Sequence, residues 1–346
     1  MQDADFLSLF SRLSPERLQA VGRMAQVLCE VADAQPIGRR SIASRLSLNE
    51  REVRSIAEEL KMQGLLEADI SGMKLSPAAA DLVDACRKLT QSLFSLRSLE
   101  DRLCRLLQAR SVTVVTGSAD SDARVLQDVG RAAARKLRES LRRNSILAVG
   151  GGSAMAETAR GLHPAALDQL MVVPLRGGIG PLMEDQANVI AGEIATRLGG
   201  RYRLLHLPDN PGPEAMKELL KQEEVRRTVE LLRQADVVIH GIGRADEMAE
   251  KRSLPESVQA NLRRDGAVGE AFGAFFDKDG RTVYRVETFG ADVPQAFGAC
   301  RVIAVAAGAR KARAIIACLR REKAADLICD ESAANAMLAL LSGEQS

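Results

Sequence analysis

From residue 112 onward, short apolar runs alternate with helix-patterned segments, and this alternation limits the possible folds more than any other feature. Most of the runs are continuous stretches of β-branched or aliphatic residues, which are typical of strands buried on both faces of a parallel sheet. The pattern predicts a doubly wound, Rossmann-like α/β domain, with ligands bound at the carboxyl ends of the strands. The predicted strands are 112–115, 146–149, 170–173, 203–207, 237–240, 302–306 and 327–329, and helices are predicted at 123–141, 186–198 and 311–320.

Four of the predicted strands end in loops that are rich in glycine or basic residues. The first loop is Gly150-Gly151-Gly152, which leads through Ser153 into a helix-patterned segment. A strand that turns on glycines into a helix directs free backbone N–H groups at one point, where the helix dipole also favours an anion. The other loops are 174–180, 240–244 and 306–311, and several of them carry arginine or lysine. Together they predict a pocket for a small, multiply anionic ligand.

The sequence offers little support for catalysis or for a bound cofactor. It has no G-x-G-x-x-G dinucleotide fingerprint, Walker lysine pattern or metal-ligand spacing, so neither a cofactor nor a metal is predicted. We interpret His163 as a helix-end residue and His206 and His240 as polar groups of the core. Glu270 has three possible roles, as a ligand of sugar hydroxyls, as a base or as a structural carboxylate, and the last is favoured.

The first 88 residues have the pattern of a separate, helical head. A helix begins at Ser14-Pro15 and ends before Pro36, a short helix covers 39–46, and Asn49 with Glu52 forms a capping box for a third helix. Two alternating runs around Ser71-Gly72 then predict a β-hairpin. This order predicts a winged helix-turn-helix over residues 1–88, in which a helical connector begins near residue 81.

In such a head the third helix lies in the major groove of double-stranded DNA, and the hairpin contacts the backbone. Arg51 and Arg54 lie off the apolar face of the third helix and are the candidates for contacts with base edges. Phosphates are more suitable partners for the remaining basic residues. An alternative is a generic helical domain with a solvated charged face, because the segment is not strongly basic. The full DNA-binding set is Arg39, Arg40, Arg51, Arg54, Ser55 and Lys74.

The connector has two possible interpretations. From residue 81 to residue 109 no glycine or proline interrupts the chain, and Leu82, Leu89, Leu96 and Leu103 recur every seven residues. This spacing fits a coiled-coil seam that joins the heads of a homo-oligomer, either a dimer or a tetramer. It equally fits a long helix packed on its own domain. Residues 89–346 are then the domain for effector binding and oligomerisation.

Length and charge narrow the class of protein. A chain of 346 residues suits two domains, and its formal net charge of +2 requires any basic surface to be local. Its cysteines form no CxxC pair, which favours reduced thiols in the cytoplasm. The acidic N-terminus does not have the layout of a signal peptide, and no apolar run approaches the roughly 20 residues of a membrane span. We therefore expect a cytoplasmic protein without a membrane partner.

Several motifs, in matching order from about Ser14 to the C-terminus, resemble those of the SorC/DeoR-type sugar-binding transcriptional regulators. The resemblance implies a sugar-phosphate isomerase-like effector domain that acts as a sensor in a tetrameric repressor of a glycolytic operon. It also implies fructose-1,6-bisphosphate as the inducing ligand. The motifs are 35–40 (QPIGRR), 63–65 (QGL), 173–178 (VPLRGG), 186–188 (QAN), 202–205 (YRLL), 240–243 (HGIG) and 266–270 (GAVGE).

The resemblance also assigns an effector-binding set. Arginine and lysine in this set suit phosphates, while glutamine and glutamate suit hydroxyls. Two departures concern the sugar: Ala154 stands where a second hydroxyl is expected, and Arg310 adds a cation. The implied set is Gly151, Gly152, Ser153, Ala154, Arg176, Gln186, Arg252, Glu270 and Lys311.

Two classes of function therefore compete. The first is a DNA-binding repressor whose operator binding responds to a phosphorylated sugar. The second is a sugar-phosphate isomerase or deaminase-like enzyme with an appended head. The presence of the head and the lack of a plausible acid–base set favour the first, so the chain is predicted not to be an enzyme.

Overall fold

The computed structural model describes residues 14–46, 48–178, 183–205, 207, 211–286, 288 and 300–343. The chain divides into two compact units, Met1–Ser98 and Leu99–Ser346, which are considered separately. Within the described segments, no helix has both the length and the apolar composition that crossing a membrane would require.

The first unit has the order of elements predicted for a winged helix-turn-helix. Asn49 caps the third helix as expected, since its side-chain oxygen accepts a hydrogen bond from the Glu52 backbone N at 2.7 Å. The two strands of the hairpin pair antiparallel, with Leu66 opposite Leu75. The elements are α1 (Pro15–Ala34), α2 (Arg39–Leu46), α3 (Glu50–Met62), β1 (Leu66–Asp69) and β2 (Gly72–Leu75).

The core of this unit forms where the apolar spacing predicts it. Val53, Ile56, Ala57 and Leu60 recur at helical spacing on α3, and all four are buried. They pack in one cluster with residues of α1, α2 and the hairpin. Because this face of α3 is used for packing, the opposite face is left to solvent.

The predicted connector, residues 81–109, consists mainly of one long helix, α5 (Val83–Leu107), and a short helix, α4 (Pro77–Ala80), precedes it. In the second half of α5, Leu99, Leu103 and Leu107 are buried, and the Glu100 carboxylate accepts a hydrogen bond from the Val114 backbone N at 2.7 Å. This half is therefore a helix packed on its own domain. The coiled-coil seam remains a prediction for the residues before Leu99; Leu82, which immediately precedes α5, is exposed. The division between the units falls inside α5, as does the predicted boundary at residues 88 and 89.

The described part of the second unit contains a parallel sheet of seven strands. Its order is β3-β13-β12-β7-β4-β5-β6. From β4 the chain builds β5 and β6 toward one edge, and it then crosses back to place β7 on the other side of β4. The strand order thus reverses between β4 and β7, which is where ligands bind in doubly wound domains. The strands are β3 (Ser111–Val115), β4 (Ile146–Val149), β5 (Met171–Pro174), β6 (Arg201–Tyr202), β7 (Val237–Gly241), β12 (Arg301–Val305) and β13 (Asp326–Asp330).

Helices cover both faces of this sheet, as the continuous apolar strands predict. Leu147 and Val149 of β4 pack in a cluster with helices on one face, while Ala148 between them packs with a helix on the other. Alternate residues of a strand point to opposite faces, so both faces of β4 are buried. The helices of this unit after α5 are α6 (Ala123–Ser140), α7 (Ser153–Arg160), α8 (Ala187–Leu198), α9 (Pro213–Leu219), α10 (Glu223–Arg233), α11 (Ala245–Lys251), α12 (Glu256–Arg264), α13 (Ala312–Arg321) and α14 (Glu331–Gly343).

The strand predicted at 203–207 is wrong. The strand at this edge is β6, which ends at Tyr202, and 203–205 have no regular structure. The Asn188 side chain explains this ending, because it donates to the Leu205 carbonyl at 2.7 Å and accepts from the Leu205 N at 2.8 Å. An amide side chain thereby takes the place of a neighbouring strand. His206, in the same predicted strand, lies outside the described residues.

A second, antiparallel sheet was not predicted. Its strands are only two to four residues long, so they carry too few residues for an alternating pattern. The sheet packs Phe275 and Val286 against α11 and α12, and it brings Glu270 toward the large sheet. The strands, in spatial order, are β11 (Thr282–Arg285), β10 (Ala274–Phe276), β9 (Gly269–Ala271) and β8 (Gly243–Arg244).

Gly130 tests how strictly the helices are positioned. A Cβ at this residue of α6 would lie 2.5 Å from the Glu157 carbonyl carbon of α7. We expect Gly130→Ala to lower the free energy of unfolding by about 1–3 kcal/mol, because the two helices must separate. Urea denaturation measures this change. Gly343→Ala is the control, since a Cβ there meets no atom within 4 Å; equal stability of the two variants would contradict a tight crossing.

Candidate functional site

The loop after β4 is an anion-binding turn in geometry as well as in sequence. Gly152 has φ +107°, a conformation that favours glycine, and α7 begins at the next residue, Ser153. A Cβ on Gly151 would lie 2.6 Å from the Asp185 carbonyl oxygen, so no larger residue fits. The first N–H groups of a helix have no partner within it. Those at Ser153 and Ala154 therefore lie at the start of α7, where a phosphate oxygen could accept them.

Cationic side chains reach the same place from separate loops. Arg176 follows β5, Lys251 ends α11, and Lys311 ends a 3-10 turn (Ala309–Lys311) after β12. Burial lowers the pKa of Lys311, and the charge of Lys251 acts in the same direction. Glu247, Asp120 and Asp330 oppose that change. An incoming anion would favour the charged form of this buried amine.

Glu270 is held in a fixed ionised state. Its carboxylate lies 2.7 Å from the Arg252 guanidinium, with both side chains 3–4% exposed, and it accepts a hydrogen bond from the Gly273 N at 2.6 Å. Burial alone would raise the pKa of Glu270, but the charges of Arg252 and Arg176 outweigh it, so the pKa lies below its usual value. The carboxylate can accept hydrogen bonds from hydroxyl groups but is a poor proton acceptor at neutral pH.

A second buried pair lies beside the first. His240, at the carboxyl end of β7, has Nδ1 3.0 Å from the Gly241 carbonyl oxygen and Nε2 2.9 Å from a Glu322 carboxylate oxygen. Both partners are acceptors, so the ring satisfies them best as an imidazolium, which donates from both nitrogens. Burial alone would lower the pKa of His240, but the charge of Glu322 outweighs it, so the pKa is raised.

Cys318 completes a group of possible metal-ligating atoms, in which the donor atoms of Cys318, His240 and Glu322 lie within 4.8 Å of one another. Burial raises the pKa of the Cys318 thiol well above its usual value, which disfavours the thiolate that a metal ion requires. Hydrogen bonding between the imidazolium and the carboxylate already explains the short distance between them. This group could not be predicted from spacing along the chain, because His240 is 78 residues before Cys318 and 82 before Glu322.

A cavity of about 200 Å³ lies at the carboxyl ends of β4 and β7 and contains most of the implied effector-binding set. Gln186 and Arg252 are not among the lining residues described. Gln186 precedes α8, where its Oε1 would be 3.3 Å from a Cβ on Gly178, and Arg252 contacts Glu270. The predicted residues that line the cavity are Gly151, Gly152, Ser153, Ala154, Arg176, Glu270 and Lys311.

Other lining residues were missed in the implied set. The 240–244 loop was predicted to form part of the pocket, and His240 and Gly241 do line the cavity, although the resemblance assigned no effector contact to them. Phe272 and Thr288 come from the small sheet and the chain after it, which had no sequence signal. Arg310, in contrast, is 70% exposed and lies 3.6 Å from Asp120, and it is not among the lining residues described. The extra cation at Arg310 is therefore not part of this cavity.

The exposed face of α3 carries the predicted base-reading residues. Arg51, Arg54 and Ser55 are all exposed, opposite the buried face of the helix. Arg54 forms an ion pair with Glu58 at 3.0 Å, an interaction that DNA phosphates or bases would have to replace. Arg39 is exposed at the start of α2, next to Arg40, which lies 3.4 Å from Glu50.

Lys74 belongs to the hairpin, where its amine lies 3.0 Å from the Asp69 carboxylate. The hydrogen bonds from Ser71 and Lys74 hold the pKa of Asp69 well below its usual value. The structure thus brings all six predicted DNA-binding residues to α2, α3 and the hairpin.

Comparison with known proteins matches both units. A family model described as the CggR N-terminal DNA binding domain matches residues 21–90, and one described as a sugar-binding domain matches residues 91–339. The chain is 35% identical over 330 residues to the central glycolytic genes regulator of Priestia megaterium, covering 94% of this chain and 96% of that protein.

Solved structures agree with this assignment. A SorC family transcriptional regulator from Enterococcus faecalis is 33% identical, with a TM-score of 0.65 over 70% of this chain and 99% of that structure. The full-length sorbitol operon regulator SorC from Klebsiella pneumoniae shares the fold at 17% identity, with a TM-score of 0.63 over 94% of this chain and 99% of that structure.

The head, the pocket and these likenesses define a transcriptional regulator that binds operator DNA and a sugar-derived small molecule, and not an enzyme. The chain belongs to the SorC family of sugar-binding transcriptional regulators, in the group that contains the central glycolytic genes regulators.

The His240–Glu322 pair predicts how stability depends on pH. Because the folded state raises the pKa of His240, the pair contributes its full stability below the unfolded pKa of about 6.5, and the contribution is lost as pH rises through the folded pKa. We therefore expect the native protein to be more stable than Glu322→Gln at pH 6, and the difference between their free energies of unfolding to shrink as pH increases to 9. Urea denaturation at each pH measures it. A difference that grows with pH would contradict the buried imidazolium.

Proposed function

We propose that this regulator represses a glycolytic operon and that fructose-1,6-bisphosphate is its effector. The observation that carries the proposal is the convergence of three cationic side chains and a helix N-terminus on one cavity that also holds a fixed carboxylate. Cations from separate loops suit a ligand with more than one phosphate. The name of the Priestia megaterium relative supports control of glycolytic genes.

The proposed ligand would occupy the cavity in a defined orientation. One phosphate accepts hydrogen bonds from the start of α7, including the Ser153 hydroxyl and backbone N–H groups. The other cations, Arg176 and Lys311, neutralise further phosphate charge, and Glu270 accepts hydrogen bonds from sugar hydroxyls. Gln186 and Arg252 act from outside the described lining, where Arg252 orients Glu270. Ala154 offers only its backbone N–H, so Ser153 is the one side-chain hydroxyl in this turn.

The proposed regulation requires more than binding. A ligand changes operator affinity only if it binds one arrangement of the protein better than another. We propose a homo-oligomer, a dimer or tetramer, whose paired heads contact symmetric half-sites and whose pairing the effector changes. The connector supports this proposal, since Leu82, immediately before α5, is exposed and the heptad spacing continues from it into the first half of α5.

A panel of sugar phosphates tests the effector. Calorimetric titration of the full-length protein should show fructose-1,6-bisphosphate binding at least tenfold more tightly than fructose-6-phosphate or glucose-6-phosphate, because each lacks one phosphate. Operator binding, followed by fluorescence anisotropy, should change over the same concentration range. If a monophosphate binds best and alone alters the DNA complex, the assignment of fructose-1,6-bisphosphate is wrong.

A matched pair of arginines tests the DNA-binding face. Arg54→Ala should weaken operator binding by about 1–3 kcal/mol and relax preference at one base pair, if Arg54 reads a base edge. Arg226→Ala is the control, because Arg226 forms an equivalent ion pair with Glu230 four residues along a helix of the other unit. Anisotropy with operator and point-mutated operators measures both effects. An equal loss for both variants would remove Arg54 from the readout.

A further inference from the structure

Lys251 lines the cavity, but its ion-pair partner, Asp185, is not among the lining residues described. Its amine is 3.1 Å from the Asp185 carboxylate, which belongs to a 3-10 turn (Met183–Asp185) just before α8. The backbone of the same residue supports the glycine loop, since the Asp185 carbonyl accepts a hydrogen bond from the Gly152 N at 2.9 Å. The Lys251–Asp185 pair therefore lies directly beside the proposed phosphate position.

This pair differs from the Arg252–Glu270 pair in how readily it can separate. Arg252 and Glu270 are almost fully buried, and Glu270 also accepts a hydrogen bond from the Gly273 N, so separation would leave two buried charges unpaired. The Lys251 and Asp185 side chains are 30% and 12% exposed and come from different elements. Partly exposed ion pairs of this kind contribute little to stability. The flexible lysine stem also allows the amine to move without moving α11.

Lys251 also lies near a second amine. Both Lys251 and Lys311 line the cavity, and the charge of Lys251 acts with burial to lower the pKa of Lys311. Two lysines that face one region are unfavourable without an anion between them. Asp185 and Glu247 supply carboxylate charge there in the unliganded protein.

We propose that Lys251 is a phosphate ligand which Asp185 masks in the unliganded protein, and that a phosphate dianion displaces the Asp185 carboxylate when it binds. The inference rests on the proposed function, because it assigns a ligand for one phosphate of the same effector. The exchange breaks no covalent bond: Lys251 changes a singly charged partner for a doubly charged one, and Asp185 turns to solvent. Asp185 is then a competitor of the effector and not part of its site.

The masking predicts opposite effects from its two members. Asp185→Asn removes the competing charge and keeps the backbone carbonyl that supports Gly152, so phosphate should bind about fivefold more tightly. Lys251→Met keeps the apolar stem but removes the charge, so phosphate should bind roughly tenfold more weakly. Asp168→Asn, which removes the partner of Arg143 at 2.7 Å on an exposed surface, is the control and should leave affinity unchanged.

The measurement is calorimetric titration of the full-length proteins at fixed ionic strength, with inorganic phosphate and fructose-1,6-bisphosphate as separate probes. Opposite shifts with both probes support the masking. Opposite shifts with inorganic phosphate, when fructose-1,6-bisphosphate does not bind, support Lys251 as a ligand and refute only the sugar assignment. Weaker binding in both variants means that the pair is structural and overturns the inference, while the proposed function stands. If neither probe binds the native protein, both proposals fail.

Discussion

The parallel pairing of β4 with β7 is the constraint on which the rest of the site depends. The Gly150 N continues the ladder by donating to the Ile239 carbonyl at 2.8 Å, and a Cβ at Gly150 would lie 3.2 Å from the His240 Cα. A side chain at this point would separate the strands where their connections diverge. Since the chain leaves β4 and β7 in opposite directions, a crevice opens between the two loops. The glycine at the end of β4 thus allows both the sheet and the cavity.

The cations of the cavity are tolerated because carboxylates accompany them before any ligand is present. Arg252 has Glu270, Lys251 has Asp185, and the pKa of Lys311 responds to Glu247 and two aspartates. Burying unpaired charges would cost several kcal/mol each. These carboxylates therefore stabilise the unliganded fold, and they also set a threshold, because an anion must interact more favourably with the cations than the carboxylates do. A doubly charged phosphate meets that condition better than a carboxylate metabolite.

Sequence reasoning succeeded where local chemistry decides the structure. The Asn49 cap, the buried face of α3 and the continuous apolar run at β4 depend on neighbours within a few residues, and all were predicted. It failed where distant residues decide. The end of β6 is set by Asn188, which contacts Leu205 from another element, and no run of residues near 203–207 contains that information.

The site divides in the same way. Glycines and cations that follow the strands were visible in the sequence, so the first loop and Lys311 could be predicted. The sequence shows that residue 251 is a lysine, but the distance between Lys251 and Asp185 depends on how α11 folds back after β8. Glu322 lies 82 residues from His240, and only the packing of α13 on the sheet brings the two together. Pairings of this kind cannot be read from spacing along the chain.

The same pairings give a physical reason why the sugar-binding domain would bind its proposed ligand without converting it. Isomerisation of a sugar phosphate needs a base whose pKa lies near the working pH. The pKa of Glu270 is lowered, and the Arg252 guanidinium and the Gly273 backbone N hold its carboxylate in place as an acceptor. His240 lies between a carbonyl and a carboxylate, and the ring state that satisfies both acceptors is the imidazolium, which has no lone pair with which to accept a proton. Glu270 is therefore a charged acceptor and a poor base, and both ring nitrogens of His240 are engaged by acceptors of the protein. Binding can then be coupled to a conformational equilibrium without consuming the ligand, which is what a metabolite-responsive regulator requires.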